Sequence, residues 1–343
     1  MSFLRVNPVL LVAALLAAGP VFAQQGEAGL RERIQQRLEQ RRSGADDPAA
    51  PSREPLRAGT HALQIEHGGQ RRKVLLHIPA GLDAARPSAL VVALHGGGGH
   101  AEYMADEQRY GLVGKADREG FVVAFPNGYS RFPGGRLATW NAGGCCGEAR
   151  DRRVDDVGFL RAVVAEVRAR VPIDGDRVFA TGMSNGGMMS HRLACEAADL
   201  FRAVASVAGT EAVSACQPQR PVSVLHIHAR DDTHVLFGGG AGPQAFRDTS
   251  KVMEFPSVPD TVAHWVQRAG CQPQPQRTLD RPGAYCEAYA GCTGGASVQL
   301  CVTDSGGHSW PGAESVRRGK AAASTALNAN DVIWDFFRAR APR

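Results

Sequence analysis

Long hydrophobic runs are nearly absent from this chain of 343 residues. One run, PVLLVAALLAA from Pro8 to Ala18, is shorter than the roughly 20 residues that a membrane-spanning helix requires, and no other stretch is a candidate. Arg5 precedes this run, and Val21-Phe22-Ala23 follows it with the small residues typical of a signal-peptide cleavage site. We therefore interpret residues 1–23 as an export signal. After its removal we expect no membrane span and an extracellular or periplasmic protein.

Motifs for metals and nucleic acids are missing as well. None of the 8 cysteines lies in a C-x-x-C pair, and the histidines lack zinc-ligand spacing, so we predict no metal site. The net charge of +5 comes from basic residues that are scattered rather than gathered in a stripe. We therefore expect no nucleic-acid partner. An even number of cysteines in an exported chain indicates disulfides, although about 105 pairings are open.

The remaining chain divides into two parts. Residues 24–58 contain a short charged helical pattern followed by a linker rich in proline and small residues. Residues 59–343 alternate apolar strand patterns with helical ones, which predicts an α/β fold whose central sheet is mostly parallel and covered by helices on both faces. We interpret this second part as the catalytic domain. Its predicted strands include HALQIEH, KVLLHIP, LVVAL, FVVAF, RVFAT, VSVLHIH and a last strand at Val298–Val302, and its predicted helices lie at 103–119, 156–169, 185–196, 261–268 and 330–338.

One turn has the pattern of a nucleophile elbow. Gly182-Met183-Ser184-Asn185-Gly186 is a G-x-S-x-G sequence between the strand RVFAT and a helical pattern. In α/β-hydrolases this strand–turn–helix context lifts a serine hydroxyl above the sheet edge, at a helix N-terminus. The context predicts Ser184 as a nucleophile rather than a plain glycine-rich turn.

A glycine-rich loop follows the strand LVVAL as His95-Gly96-Gly97-Gly98-Gly99. Acyl transfer builds an oxyanion, and backbone N–H groups must point towards it. Such a loop supplies one donor, and the residue after the nucleophile supplies the other. We assign these donors to Gly97 and Asn185. A phosphate-binding loop is excluded because no Gly-Lys-Ser/Thr follows the glycines.

The general base is predicted to lie late in the chain. His308, in GGHSWPG, follows the last predicted strand on a loop that can reach over the sheet edge. His226 and His228 alternate within a strand and are expected to pack or to form hydrogen bonds. Asp231 and Asp232 follow that same strand, and either carboxylate could orient the imidazole.

From about Gly59 to Gly312 the chain resembles the exported poly(3-hydroxybutyrate) depolymerase and feruloyl esterase family. The resemblance depends on the strings LHGGGG, FPNGYS, TWNAGGCCG, VDDVGFL, GMSNGGMM, RLACEAADLF, SVAGT and GGHSWPG taken together. It implies an α/β-hydrolase with a Ser-Asp-His triad that cleaves carboxylic esters without a cofactor. The family reads H-G-T-A-D where this chain reads H-A-R-D-D, so Asp232 aligns with the family's acid.

The resemblance also bears on the cysteines. It implies that Cys195 pairs with Cys216 and Cys271 with Cys292, and these two pairs are compatible with a third between Cys286 and Cys301. Cys145 and Cys146 either bridge each other or stay reduced. We expect the late bridges to hold the loop of His308 in place.

Two tryptophans and two aspartates complete the candidate residues. Trp140 and Trp310 are predicted to form an aromatic wall for the substrate, with core packing as the alternative. Asp155 and Asp156 are interpreted as caps of the helix that follows.

The sequence thus predicts a secreted serine carboxylesterase with Ser184, Asp232 and His308 as its triad. Its expected substrates are hydroxybutyrate oligomers or feruloyl and other aromatic esters. Alternatives are a hydrolase of another polymer, such as polyaspartate or a synthetic polyester, and a non-catalytic binding protein on a hydrolase scaffold. We expect a monomer or a small homo-oligomer.

Overall fold

A ten-stranded mixed sheet organises the chain, in the order β1-β2-β4-β3-β5-β6-β7-β10-β9-β8. The computed structural model describes residues 54–83, 86–245, 254–316 and 318–340. The predicted export signal and the charged helix therefore lie outside the described residues. The strands, in chain order, are β1 (Gly59–His67), β2 (Gln70–Ile78), β3 (Ser88–Leu94), β4 (Val122–Pro126), β5 (Ile173–Met183), β6 (Ala203–Val207), β7 (Ser223–Ala229), β8 (Gln276–Arg281), β9 (Ala284–Tyr289) and β10 (Val298–Thr303).

Six neighbouring strands run parallel to one another, in the order β4, β3, β5, β6, β7 and β10. Two antiparallel strands extend the sheet on each side. The α-helices of the described residues are α1 (Ala101–Met104), α2 (Glu107–Tyr110), α3 (Leu112–Glu119), α4 (Gly147–Asp151), α5 (Asp156–Arg168), α6 (Asn185–Glu196), α7 (Val258–Arg268) and α8 (Ala329–Arg338). None of them is long and apolar enough to cross a membrane.

Both faces of the sheet are buried, and β3 shows how. Successive side chains of a strand point to opposite faces, so Leu90, Val92 and Leu94 join one hydrophobic cluster while Val91 and Ala93 join the other. The first cluster also contains apolar residues of α5, α6 and α7. The second contains those of α1, α3 and α8. The predicted α/β class, with a largely parallel sheet covered on both faces, is confirmed.

The helical pattern predicted over residues 103–119 is divided into α1, α2 and α3. Asp106 caps α2 by accepting a hydrogen bond from the Arg109 N–H. Gly111 then adopts φ 60°, a left-handed conformation that ends one helix and begins the next. The single long helix of the prediction is therefore wrong.

The hairpin of β8 and β9 was not predicted. Strand β8 has the sequence QRTLDR and is exposed along almost its whole length, so it lacks the alternation of apolar and polar residues by which a strand is recognised. Charged side chains are common on such edge strands because they discourage pairing with other chains. The hairpin places β9 beside β10, the strand that leads to the loop of His308.

Candidate active site

Ser184 occupies a strained turn between β5 and α6. Its backbone has φ 56° and ψ −123°, in a region that residues other than glycine rarely adopt. The flanking glycines are required because a Cβ on Gly186 would overlap the carbonyl of Leu94, and one on Gly182 would overlap the Gly186 backbone. Strain of this kind is often found at functional sites. Here it places Ser184 at the N-terminus of α6, where it lines a cavity.

His308 and Asp232 meet at the same edge of the sheet. The two residues follow β10 and β7, which are adjacent and parallel, so their loops leave the sheet side by side. The Nδ1 atom of His308 lies 2.8 Å from Oδ2 of Asp232. The Asp232 side chain is fully buried, whereas His308 is 11% exposed and lines the cavity together with Ser184.

Asp231 binds a different part of the same loop. Its carboxylate accepts hydrogen bonds from the N–H groups of Gly307 at 2.8 Å and Gly306 at 3.3 Å. The sequence left open which aspartate orients the imidazole, and the structure gives the two aspartates different partners. Asp232 contacts the imidazole, and Asp231 fastens the backbone that carries it.

The Asp232 carboxylate is held in its charged form. Burial by itself raises its pKa, but hydrogen bonds from His228 and His308 outweigh burial and hold the pKa well below its usual range. The backbone N–H groups of His234 and Val235 also donate to its Oδ1, at 2.7 Å and 3.1 Å. A carboxylate in this state accepts the Nδ1–H of His308 and leaves Nε2 of the ring to act as a base.

The glycine-rich loop lies against the elbow. A Cβ on Gly96 would stand 3.4 Å from the Cβ of Ser184. The Gly98 N–H donates to the Ala138 carbonyl at 2.8 Å, and the Gly99 N–H donates to the Gly96 carbonyl. Gly97 belongs to this fastened loop and lines the cavity together with Ser184.

His95 fixes this loop from inside, a role that the sequence analysis missed. Its Nε2 accepts the Gly128 N–H at 2.9 Å, so Nδ1 carries the hydrogen and donates to the Gly96 carbonyl at 2.8 Å. Burial lowers the pKa of His95 to about 4, so the ring is neutral at neutral pH. Only its place at the strand end, directly before the glycines, could have suggested this role.

Asn185 and Trp140 clamp the elbow to the neighbouring loop. The Asn185 side chain accepts the Trp140 N–H at 2.7 Å and donates to the Trp140 carbonyl at 3.0 Å. The indole N–H of Trp140 donates to the His95 carbonyl at 2.9 Å. Trp140 is 0% exposed. Its prediction as a substrate wall is wrong, because the residue is buried and its ring and backbone together tie the segment that carries Gly97 to Asn185.

Nearby, Asp156 does not share the capping role of Asp155. The Asp155 side chain caps α5 by accepting the Gly158 N–H. Asp156 is fully buried, pairs with Arg72 and accepts the Asn141 N–H at 2.7 Å. The prediction that both aspartates cap the helix is therefore correct for Asp155 and wrong for Asp156. Asp156 instead fixes the segment next to Trp140.

The cavity has a volume of about 870 Å³ and an aromatic side. Trp310 lines it, as do Tyr103 and Tyr110. Tyr110 meets Trp310 edge to face at 5.4 Å and Tyr103 at 5.9 Å. Trp310 thus lines the cavity although it is only 2% exposed, and its role as a substrate wall stays a prediction. The sequence analysis did not name Tyr103 and Tyr110, which line the cavity as well.

His234 was also missed, although it lies two residues after Asp232. Its ring stacks on that of His308 with centroids 4.3 Å apart, and Lys320 Nζ donates to its Nε2 at 2.8 Å. Asp232, His234 and His308 bring possible metal-ligand atoms within 4.8 Å of one another. A cation there would compete with the hydrogen bond between Asp232 and His308.

Disulfides join all the described cysteines. The pairs are Cys145–Cys146, Cys195–Cys216, Cys271–Cys292 and Cys286–Cys301. Cys146 lines the cavity. Cys286 and Cys301 lie opposite each other on β9 and β10, so that bridge fastens the strand that leads to His308.

Comparison with known proteins agrees with this geometry. Residues 73–264 match the family described as Esterase PHB depolymerase, which is more than half of the chain. The chain belongs to this family. It is therefore a carboxylic ester hydrolase with an α/β-hydrolase fold.

Feruloyl esterases are among its relatives. Feruloyl esterase B of Piromyces equi is 31% identical over 69% of this chain, a match that spans 42% of that protein's length. Feruloyl esterase C of Emericella nidulans is 28% identical over 86% of this esterase and 92% of its own length. The solved structure of an acetyl xylan esterase from Aspergillus awamori superposes with a TM-score of 0.55 at 16% identity, over 81% of this chain and 99% of the other, which shows the shared fold.

Proposed function

We propose that this esterase acts through an acyl-enzyme in which Ser184 is the nucleophile, His308 the general base and Asp232 the residue that orients the imidazole. The observation that carries the proposal is the Asp232–His308 hydrogen bond of 2.8 Å beside the cavity that Ser184 also lines. His308 Nε2 takes the hydroxyl proton of Ser184 as its oxygen attacks the ester carbonyl. The proton then passes to the leaving alcohol, and water hydrolyses the acyl-enzyme by the same route.

The N–H groups of Gly97 and Asn185 are the proposed oxyanion donors. Gly97 lines the cavity, and the next two amides of its loop are engaged elsewhere, that of Gly98 with the Ala138 carbonyl and that of Gly99 with the Gly96 carbonyl. The backbone N–H of Asn185 belongs to the first turn of α6, where helix geometry leaves amides without helical partners. Removing one such donor typically lowers kcat by about 10²- to 10³-fold.

Esters with an aromatic acyl group, of the feruloyl kind, are the substrates that the cavity favours. Tyr103, Tyr110 and Trp310 form one aromatic side of a cavity large enough for a small-molecule ester. Aromatic rings pack on such a side edge to face or offset. The relatives from Piromyces equi and Emericella nidulans carry the name feruloyl esterase, which supports the same choice.

Hydroxybutyrate oligomers are the second candidate, favoured by the family match over residues 73–264. The two candidates differ in their acyl group, which is planar and aromatic in one and short and aliphatic in the other.

We further propose that the protein is exported, with residues 1–23 as its signal and 59–343 as its catalytic domain. The disulfides support export because such bonds persist in oxidising compartments.

The assignment is tested by Ser184→Ala with Ser315→Ala, another serine of the cavity, as the matched control. We expect Ser184→Ala to keep its circular dichroism and to lose both p-nitrophenyl acetate turnover and labelling by a fluorophosphonate. Ser315→Ala should retain both. Wild-type turnover by Ser184→Ala would contradict the proposal.

The substrate is tested with a panel of methyl ferulate, hydroxybutyrate trimer, acetylated xylan and polyaspartate. We expect the highest kcat/KM for methyl ferulate, and a Tyr103→Leu enzyme should lose this preference. A higher kcat/KM for the trimer would transfer the assignment to hydroxybutyrate oligomers. Cleavage of polyaspartate alone would contradict both candidates.

A further inference from the structure

Three buried histidines form a row behind the proposed triad. His191 lies on α6, the helix that begins after Ser184, and His226 and His228 lie two residues apart on β7. Their exposed fractions are 0%, 1% and 1%. None of them lines the cavity, so the proposed chemistry does not use them directly.

Hydrogen bonds connect the row from α7 to Asp232. The indole Nε1 of Trp265 lies 2.9 Å from His191 Nδ1. His191 Nε2 lies 3.4 Å from His226 Nδ1, and His226 Nε2 lies 3.0 Å from His228 Nδ1. At the end of the row, His228 Nε2 lies 2.8 Å from the Val235 carbonyl and 3.3 Å from Oδ2 of Asp232.

The two ends of the row determine the direction of every hydrogen bond in it. An indole N–H can only donate, so Nδ1 of His191 must accept. A carbonyl and a carboxylate can only accept, so Nε2 of His228 must donate. Both conditions are met when each of the three rings carries its hydrogen on Nε2 and accepts through Nδ1.

Burial keeps the inner rings neutral. It lowers the pKa of His191 to about 3 and that of His226 well below its ordinary value. A neutral imidazole has one N–H and one acceptor nitrogen. At neutral pH the inner rings therefore transmit one orientation, from Trp265 towards His228.

We propose that His228 is a positioning residue for Asp232, and that the row beginning at Trp265 holds His228 in the Nε2–H tautomer. The inference rests on the proposed function, in which Asp232 orients His308. In the opposite tautomer a lone pair of His228 would face both the Asp232 carboxylate and the Val235 carbonyl. Asp232 would then lose a donor on Oδ2, the same oxygen that receives His308.

The consequence for the triad is geometric. Oδ1 of Asp232 is held by two backbone N–H groups and Oδ2 by two imidazoles. Donors on both oxygens fix the plane of the carboxylate, and that plane sets the direction of the Nδ1–H bond of His308. Removing the partners that orient metal-ligating side chains typically lowers activity by about 10- to 100-fold, and we expect a loss of the same order for Asp232.

The first experiment measures the tautomers in the wild-type protein. Nitrogen-15 spectra of labelled histidine distinguish a protonated ring nitrogen from a bare one, with assignments made by replacing single histidines. We expect His191, His226 and His228 to carry hydrogen on Nε2 and to have a bare Nδ1 at pH 7. A His228 with hydrogen on Nδ1, or on both nitrogens, overturns the proposal whether or not the protein cleaves esters.

The second experiment compares His228→Leu with His228→Gln. Leucine removes the donor, and we expect kcat to fall by about 10- to 100-fold with KM within about twofold of wild type. The amide of glutamine can donate towards Asp232 and should restore part of kcat. His77→Leu is the control, because His77 is a buried histidine on β2 with its own partners, Thr60 and Asp117.

A third variant acts at the far end of the row and covers the case in which His228→Leu does not fold. Trp265→Phe keeps an aromatic ring, smaller than the indole, and removes the N–H donor, so the row loses one of the two ends that determine its direction. We expect the Nε2–H signal of His228 to weaken and kcat to fall about two- to tenfold. Unchanged tautomers and kcat would overturn the role of Trp265, and wild-type kcat in folded His228→Leu would overturn that of His228. If the wild-type protein showed no ester hydrolysis at all, that result would instead count against the proposed function.

Discussion

Asp231 and Asp232 are neighbours in the chain, yet they bind different groups. Asp232 accepts from the imidazole of His308, and Asp231 accepts from the backbone of Gly306 and Gly307. We expect Asp232→Asn to lower kcat by about 10⁴-fold, because an amide favours the wrong tautomer of the base. Steady-state kinetics on p-nitrophenyl acetate measure the loss.

Asp231 provides the matched comparison. Asp231→Asn keeps an acceptor oxygen for the glycine amides and should stay within about tenfold of wild type. Asp231→Ala removes both acceptors, and a base displaced by roughly 1 Å loses about 10²-fold in rate. If Asp231→Asn were more damaging than Asp232→Asn, the two assignments would have to be exchanged.

The Asn185 side chain is predicted to matter although only its backbone is proposed to bind the oxyanion. Asn185→Ala leaves the buried N–H of Trp140 without its acceptor, at about 1–3 kcal/mol, whereas the Trp140 carbonyl keeps the N–H groups of Ala142 and Cys146. We expect a lower melting temperature together with a loss of about tenfold or more in kcat. Asn185→Asp keeps the acceptor for the Trp140 N–H but buries a negative charge and sets an oxygen against the Trp140 carbonyl, so it should lower the melting temperature as well. Equal melting temperatures for Asn185→Ala and wild type would contradict the clamp.

Among the structural elements, β10 has a special position because it leads directly to the loop of His308. It pairs with β7 on one side and with β9 on the other, where Cys286 and Cys301 are joined. Replacing both cysteines by alanine should lower stability by about 2–4 kcal/mol and also lower kcat, because the strand next to the base loosens. Thermal melts and kinetics of the double variant test this.

The bridge between Cys271 and Cys292 is the control for that prediction. It joins the end of α7 to the end of β9, away from the His308 loop. Its removal should lower stability and leave kcat near wild type.

During titration with dithiothreitol we expect activity to fall before the far-ultraviolet circular dichroism changes. Activity that persists until the dichroism collapses would show that the bridges do not position His308.

At the scale of the whole molecule, buried neutral histidines make stability depend on pH. Burial lowers the pKa of His95 to about 4, that of His191 to about 3 and that of His226 well below its ordinary value. The unfolded chain has histidine pKa values near about 6.5, so below that pH it binds protons that the folded protein does not. Stability is therefore highest above about pH 7 and falls as the pH decreases towards the folded-state values.

The expected slope is about 1.4 kcal/mol per pH unit for each such histidine between roughly pH 6.5 and pH 4.5. Urea denaturation at pH 7.5, 6.5 and 5.5 measures it, in a range where most carboxylates of the unfolded chain stay ionised. In a His95→Asn variant the slope should be smaller by the contribution of one histidine. A free energy of unfolding that is equal at pH 7.5 and 5.5 would contradict the prediction.

Much of the architecture was determined by the sequence alone. Buried strands such as LVVAL have continuous apolar runs, and G-x-S-x-G requires a particular turn, so the fold class and the setting of Ser184 follow from local patterns. Chain order adds that residues following parallel strands meet at one edge of the sheet. That rule predicts that Ser184, His308 and the aspartate pair lie close together.

Only the tertiary structure decided which atoms meet. Adjacent residues such as Asp231 and Asp232 point in different directions, and no composition or spacing tells which one faces the imidazole. Trp140 has the character of a wall residue in sequence, but its burial depends on Asn185 and His95, which come from other segments. The row from Trp265 to His228 joins residues far apart in the chain, because packing against a sheet depends on three-dimensional neighbours, which the order of the sequence does not specify.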